Sequence, residues 1–206
     1  MTSHDNEHLD AVYAAKTPAD IARLYDKWAA SYDGDMAKAG YRHPAIATAL
    51  IARHLPRGAS PVLDAGAGTG LVGEWLGILG YPEVEALDIS EGMLAVARAK
   101  GIYSALHVGL LGNTLPLPQD HFAAVICAGV LTTGHVGAEA LPGLLGVARP
   151  GGIVVLTVKE SLWTGSIAAA VAATPEATIV EATDPYISMP GDAGSTHSRG
   201  VVLRRA

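Results

Sequence analysis

From residue 60 onward the chain repeats one pattern. A short apolar run ends in a polar or glycine-rich turn, and a stretch with apolar residues at helical spacing follows. Residues 60–64, 83–89, 104–108, 122–128 and 153–158 are such runs, and each reads as a buried strand. Between them, Leu71–Leu79 reads as a helix with Val72, Trp75, Leu76 and Leu79 on one side and Gly80 as its terminator. Ser90 caps a further helix with Glu91 in its first turn and Met93, Val96 and Ala97 inward. Residues 138–148 and 162–173 also read as helices, the first weakened by Pro142 and Gly143. Two extended segments, 178–188 and 200–204, flank a loop rich in Pro, Gly, Asp and Ser and predict a hairpin.

Upstream the pattern is helical. Thr17-Pro18-Ala19-Asp20 is a helix start, with Thr as N-cap and Pro in the first turn. Ile21, Leu24, Tyr25, Trp28 and Tyr32 then share a face, and Gly34 is expected to break the helix. Pro44 opens a second helix that Pro56 stops. Residues 1–16 are polar and acidic and predict a mobile arm. The chain thus divides into an arm, cap helices over 17–57 and an α/β core over 58–206 that form a single domain. Strands separated by helices predict a doubly wound, mostly parallel sheet of seven strands, with one antiparallel strand supplied by the terminal hairpin. Ligands of such sheets bind beyond the carboxyl ends of the strands, where strand order reverses.

Composition narrows the partners. Half of the residues are hydrophobic and 17% are charged, which suits a sizeable core. The formal net charge is −6, with 14 basic against 20 acidic residues, so a nucleic-acid partner is not expected. No apolar run is long enough to span a bilayer, and the first ten residues are unlike a signal peptide, so no membrane partner and a cytoplasmic location are expected. Cys127 is the single cysteine and sits in an apolar run, as a buried core residue would. His43, His54, His107 and His121 lack partners at matching spacing, and no cluster has metal-ligand spacing, so no metal is expected.

The candidate chemistry lies in Val62-Leu63-Asp64-Ala65-Gly66-Ala67-Gly68-Thr69-Gly70. Glycines at alternate positions let a ligand approach the backbone closely. A triphosphate loop would need a following Gly-Lys-Ser/Thr, and no lysine stands between Gly58 and Arg98. A dinucleotide loop would need G-x-G-x-x-G, and Leu71 occupies the last position. Asp64 would repel a pyrophosphate and attract an ammonium group. Asp88, at the end of the second strand, can take both hydroxyls of a ribose.

These residues resemble those of the class I S-adenosylmethionine-dependent methyltransferases. The likeness rests on VLDAGAGTG at 62–70, ALDISEGML at 86–94, LPLPQDHFAAV at 115–125 and ARPGG at 148–152, in that order. Residues 25–33 also resemble the helix that covers the cofactor in small members. The resemblance implies a Rossmann-like core, S-adenosyl-L-methionine as cofactor, S-adenosyl-L-homocysteine as product, and methyl transfer to a small-molecule acceptor. It implies cofactor contacts at Tyr25, Tyr32, Asp64, Ala65, Gly66, Gly68, Asp88, Ile89, Met93, Leu110, Leu111 and Ala128. Leu110 and Leu111 stand where members often carry the aspartate that meets the adenine, which leaves Asn113 or Thr114 as polar candidates. His135, past the fourth strand, is the candidate general base, and Glu160 is a second residue positioned to reach the acceptor. Two other readings stay open: a noncatalytic S-adenosylmethionine-binding protein and an NAD(P)-dependent oxidoreductase.

Overall fold

A computed structural model describes residues 6–132 and 136–206. One sheet organises it, with strands β1 (Val62–Ala65), β2 (Val84–Asp88), β3 (Ala105–Val108), β4 (Phe122–Leu131), β5 (Ala148–Lys159), β6 (Ala177–Ala182), β7 (Tyr186–Ile187) and β8 (His197–Arg205). Their spatial order is β3-β2-β1-β4-β5-β8-β6. Neighbours from β3 to β5 are parallel, and β8 runs antiparallel to β5, β6 and β7. The short β7 follows β6 along the same β8 edge, so the sheet has the expected seven positions and one reversed strand. Order reverses at β1, whose neighbours are β2 and β4, and this puts the crevice at their carboxyl ends.

Strand alternation sorts the core onto two faces. Leu63, Ala65, Leu87, Val125 and Cys127 pack on one side with α7 (Leu141–Val147) and the helical segment that follows β5. Val62, Val84, Ile126, Val155 and Val202 pack on the other, against α4 (His43–His54) and α5 (Leu71–Leu79). Burial also pushes the Cys127 thiol up from its ordinary range, as suits an inert core residue. The helix after β5 begins earlier than expected, as Glu160–Leu162, a π-turn at Trp163–Ile167 and Ala168–Ala172. Trp75, expected inward, is 49% exposed. Val72, Gly73 and Leu76 form the buried stripe of α5, and Trp75 falls a quarter turn off it.

The cap differs most from expectation. The arm expected over 1–16 is, from Glu7 to Ala14, the helix α1, capped by Asn6. Its Leu9 and Val12 are buried against Trp28, Met36 and Met189. Two apolar residues three apart in a polar stretch suffice to dock a helix when a partner groove exists, and that groove is invisible in local composition. Thr17 caps α2 (Pro18–Trp28) by accepting from the Asp20 amide, as expected. Gly34 does not end this helix. The chain turns at 29–31 and restarts as α3 (Tyr32–Ala39), which contains Gly34 and ends at Gly40 in a left-handed conformation. The turn is fixed by Asp35, whose Oδ2 accepts from Trp28 Nε1 at 2.8 Å and from Ser31 Oγ at 3.1 Å.

Candidate functional site

The turn after β1 is held open by positive φ at Gly66, Gly68 and Gly70, of 82°, 53° and 90°. These values are costly for any residue with a Cβ. A Cβ on Gly66 would collide with Val130 of β4, whereas a Cβ on Gly68 would project into open space. Gly70 is the N-cap of α5. The Gly68 amide donates to Asp88 Oδ2 at 2.8 Å, and the Ser90 amide donates to Asp88 Oδ1 at 2.9 Å. Asp88 is thereby fixed between the loop and the start of α6 (Glu91–Lys100), with a lone pair left on each oxygen. Burial raises its pKa, and the backbone donors counter that only in part.

A cavity of about 810 Å³, including its mouth, opens over this loop. Tyr25, Tyr32, Gly66, Gly68, Asp88, Ile89, Met93, Leu110, Leu111 and Ala128 line it, all of them expected from the sequence. Pro18, Ile21, Tyr41, Gly109, Gly129, Val130 and Val136 complete the wall.

Two expected contacts are not on that wall. Ala65 is fully buried on the α7 face. Asp64 points to the opposite face, beneath the loop, because side chains alternate along β1. It is 1% exposed, and its Oδ2 accepts from Tyr103 Oη at 2.6 Å. Its Oδ1 has no hydrogen-bond partner among the described residues. Burial pushes the Asp64 carboxyl up to about 7, and the nearby Asp88 adds to the rise. Asp64 is thus off the cavity wall, and of the two ways it could answer a cationic head, directly or through water, its burial disfavours the direct one. Asn113 and Thr114, the polar candidates for an adenine, are exposed and outside the wall. Glu160 is occupied elsewhere: its two oxygens take Arg199 Nε and Nη2, each at 2.6 Å. His135 lies outside the described residues.

Carboxylates that the sequence did not single out fasten the cap over the cavity. Asp26 Oδ1 on α2 accepts from Ser90 Oγ at 2.6 Å and from the Gly92 amide at 2.8 Å, both on α6. A Cβ on Gly92 would meet the Asp26 backbone at 2.8 Å, so the glycine permits this approach. Asp33 on α3 accepts from Thr69 Oγ1 of the glycine loop at 2.5 Å and pairs with Lys100 at 2.8 Å.

A second cavity abuts the first and shares Tyr25, Tyr32, Tyr41 and Gly129 with it. Its other walls come from α1, α4, the loop before β8 and the ends of β4 and β5, including Tyr13, His43, Thr132, Lys159, Ser195 and Ser198. The bend that makes room is at Gly129, where φ is 76° and the β4–β5 register shifts. Tyr41 Oη packs where a Gly129 side chain would be, and the Gly129 amide donates to Thr157 Oγ1 at 2.7 Å. This bend carries β4 to Leu131, past its expected end at Ala128.

Three of the histidines have hydrogen-bonding partners. His43 Nδ1 lies 2.8 Å from Tyr186 Oη, His54 Nε2 lies 2.5 Å from Glu181, and His107 Nε2 lies 2.7 Å from Glu85. These partners sit on other strands, where sequence spacing carries no signal. Burial pulls the His43 imidazole down to about 4, so it is neutral near pH 7. Among the described residues no group of three or more metal-ligating side chains comes together, and no helix is long and apolar enough to cross a membrane.

Residues 63–156 match the family profile described as a methyltransferase domain. The chain is 38% identical over 156 residues to methyltransferase-like protein 27 of Homo sapiens, covering 73% of this chain and 63% of that protein. It is 31% identical over 150 residues to the ubiquinone/menaquinone biosynthesis C-methyltransferase UbiE of Burkholderia mallei, covering 69% and 61%. The chain thus spans less than two thirds of the length of these curated relatives. Among solved structures it is similar to a TehB-like SAM-dependent methyltransferase from Corynebacterium glutamicum, with a TM-score of 0.67 and 21% identity over 89% of this chain and 100% of that one. The [4+2]-cyclase SpnF gives a TM-score of 0.68 and 15% identity over 93% and 97%, a likeness of fold. With the sheet order, the glycine loop under Asp88 and these relatives in agreement, residues 63–156 form a methyltransferase domain of the class I S-adenosylmethionine-dependent family.

Proposed function

We propose that the protein transfers a methyl group from S-adenosylmethionine to a small organic acceptor. The observation that carries this is the pair of abutting cavities, which share three tyrosines and Gly129. The family's cofactor suits the first cavity. Asp88 offers paired lone pairs for a ribose, Gly68 leaves open space above its backbone, and the orphaned Asp64 oxygen supplies charge for a cationic head. Ile89, Met93, Leu110 and Leu111 give an apolar slot for a purine, in place of a carboxylate contact.

When bound, this cofactor brings a methyl group that is already activated, so the chain's residues are left with orientation, water exclusion and proton handling. Orientation of two reactants can contribute about 7–11 kcal/mol to such a step. Tyr25, Tyr32 and Tyr41 stand between the cavities and leave little room for water at their junction. Burial lifts all three phenols above their ordinary pKa, so they act as neutral walls and hydrogen-bonding groups. His43, neutral and held by Tyr186, lines the acceptor side as an uncharged hydrogen-bonding group.

The net charge of −6 and the concave shape of the two cavities support a small acceptor over a nucleic acid. Binding of S-adenosylmethionine without methyl transfer is the second reading, favoured by one observation: a protein named a [4+2]-cyclase shares this fold, so the fold alone does not set the reaction. Incubation with methyl-labelled S-adenosylmethionine and a fractionated metabolite extract, followed by mass spectrometry, separates the two. Transfer gives a labelled product and S-adenosylhomocysteine; tight binding with no consumption in any fraction sinks the transfer reading.

A further inference from the structure

The two cavities differ in charge. The first holds the Asp88 carboxylate and lies over Asp64. Among the described residues, no carboxylate lines the second, and its one ammonium or guanidinium group is Lys159. Lys159 is the last residue of β5, in register with Ser198 of β8, and shares a strand face with Thr157. It is half-buried, and among the described residues it forms no ion pair. Its ammonium lies 5.6 Å from the centroid of the Tyr13 ring. A ring face attracts a cation but offers no lone pairs to an ammonium's three N–H donors. Burial accordingly lowers the lysine's pKa from its ordinary value. Tyr13, Tyr25, Trp28, Tyr32 and Tyr41 supply the flat apolar surface around it.

We infer that Lys159 is a specificity residue for the methyl acceptor, and that the acceptor is a small aromatic molecule carrying an oxyanion, which pairs with the Lys159 ammonium in the second cavity. This rests on the second cavity being the acceptor's site. The ring lies among the tyrosines and the oxyanion reaches toward β5 and Ser198. A lysine with no ion pair among the described residues, facing a cavity with no described acid on its wall, stabilises an anionic ligand and rejects a cationic one. The same charge arrangement keeps the cationic cofactor on the Asp88 side of the tyrosines.

The test uses the full chain with S-adenosylhomocysteine bound and two probes, 4-hydroxybenzoate and its neutral analogue 4-hydroxybenzamide. Dissociation constants come from NMR titration, and cofactor affinity and thermal unfolding are measured on each variant. The expected result is acid binding at least about tenfold tighter than the amide, as a charge-assisted hydrogen bond predicts. Lys159→Met should erase that preference while cofactor affinity and unfolding temperature hold, and Lys159→Arg should keep most of it. Equal binding of acid and amide, no binding of the acid at millimolar concentration, or a preference that survives Lys159→Met overturns the inference. A chain that fails to bind S-adenosylhomocysteine overturns instead the reading of the first cavity on which the inference stands.

Discussion

Asp64 and Tyr103 meet beneath the glycine loop, with the phenol donating to the carboxylate at 2.6 Å and the other carboxylate oxygen left without a partner. The pair lies under the cavity floor. Burial holds the Asp64 carboxyl at about 7 against 3.8 in the unfolded chain. A raised carboxyl pKa means that folding loses stability as pH rises from 3.8 toward 7, by up to about 4 kcal/mol when complete. A cationic ligand above the loop favours the ionised form, so binding at pH 7 should release part of a proton. Calorimetry of S-adenosylmethionine binding in buffers of different ionisation enthalpy measures that release. Asp64→Asn should abolish it, weaken binding and raise the unfolding temperature of the free protein at pH 8. Proton release unchanged in the variant would remove Asp64 from this role.

The Asp26 clamp gives a prediction about the cap. Asp26 joins α2 to the start of α6 through Ser90 Oγ and the Gly92 amide. Asp26→Ala should let α2 lift from the cavity, raising hydrogen exchange over residues 18–28 and weakening cofactor affinity by about threefold to tenfold. Asp26→Asn retains an acceptor oxygen and should lose less. Faster exchange with unchanged affinity would mean that α2 covers the cavity without holding the ligand.

These two aspartates show what sequence could and could not reveal. The glycine loop, Asp88, Met93 and the strand–helix alternation were legible, because local patterns dictate them: positive φ demands glycine, and a capped helix start demands Ser90. Asp26 and Lys159 carried no signal, because their importance depends on contacts across the fold. The side-chain direction of Asp64 was readable in principle from strand parity, since Leu63 and Ala65 point the other way. Helix α1 was hidden because it buries only Leu9 and Val12.

Gly129 and Tyr41 define the junction of the cavities, so Gly129→Ala should damage both. The substituted residue would need a φ near 76° and would strike Tyr41 Oη. Such backbone conformations cost about 1–3 kcal/mol without a clash. Tyr41→Phe removes the obstructing oxygen and should recover part, but not all, of the loss in the double variant. Chemical denaturation of the four proteins measures the coupling; strictly additive effects would mean that the clash is relieved by movement elsewhere.

His43 and Asp64 titrate in opposite senses, and this sets the pH profile of the free protein. The His43 imidazole is neutral down to about 4 when folded and to 6.5 when unfolded. A lowered histidine pKa means that its contribution is present above 6.5 and lost as pH falls toward 4, about 3 kcal/mol in all. Over the same interval Asp64 gains stability as pH falls, because protonation removes its buried charge. The two slopes nearly cancel between about 4 and 6.5, so the native protein should show a flat profile there, as far as these two groups determine it. Single variants break the balance in opposite directions. His43→Gln leaves Asp64 uncompensated, and the protein should become more stable as pH falls from 6.5. Asp64→Asn leaves His43 uncompensated, and the protein should become less stable over the same range. Denaturant midpoints across that interval test both. Parallel profiles for the native protein and the two variants would show that neither group changes its proton affinity on folding.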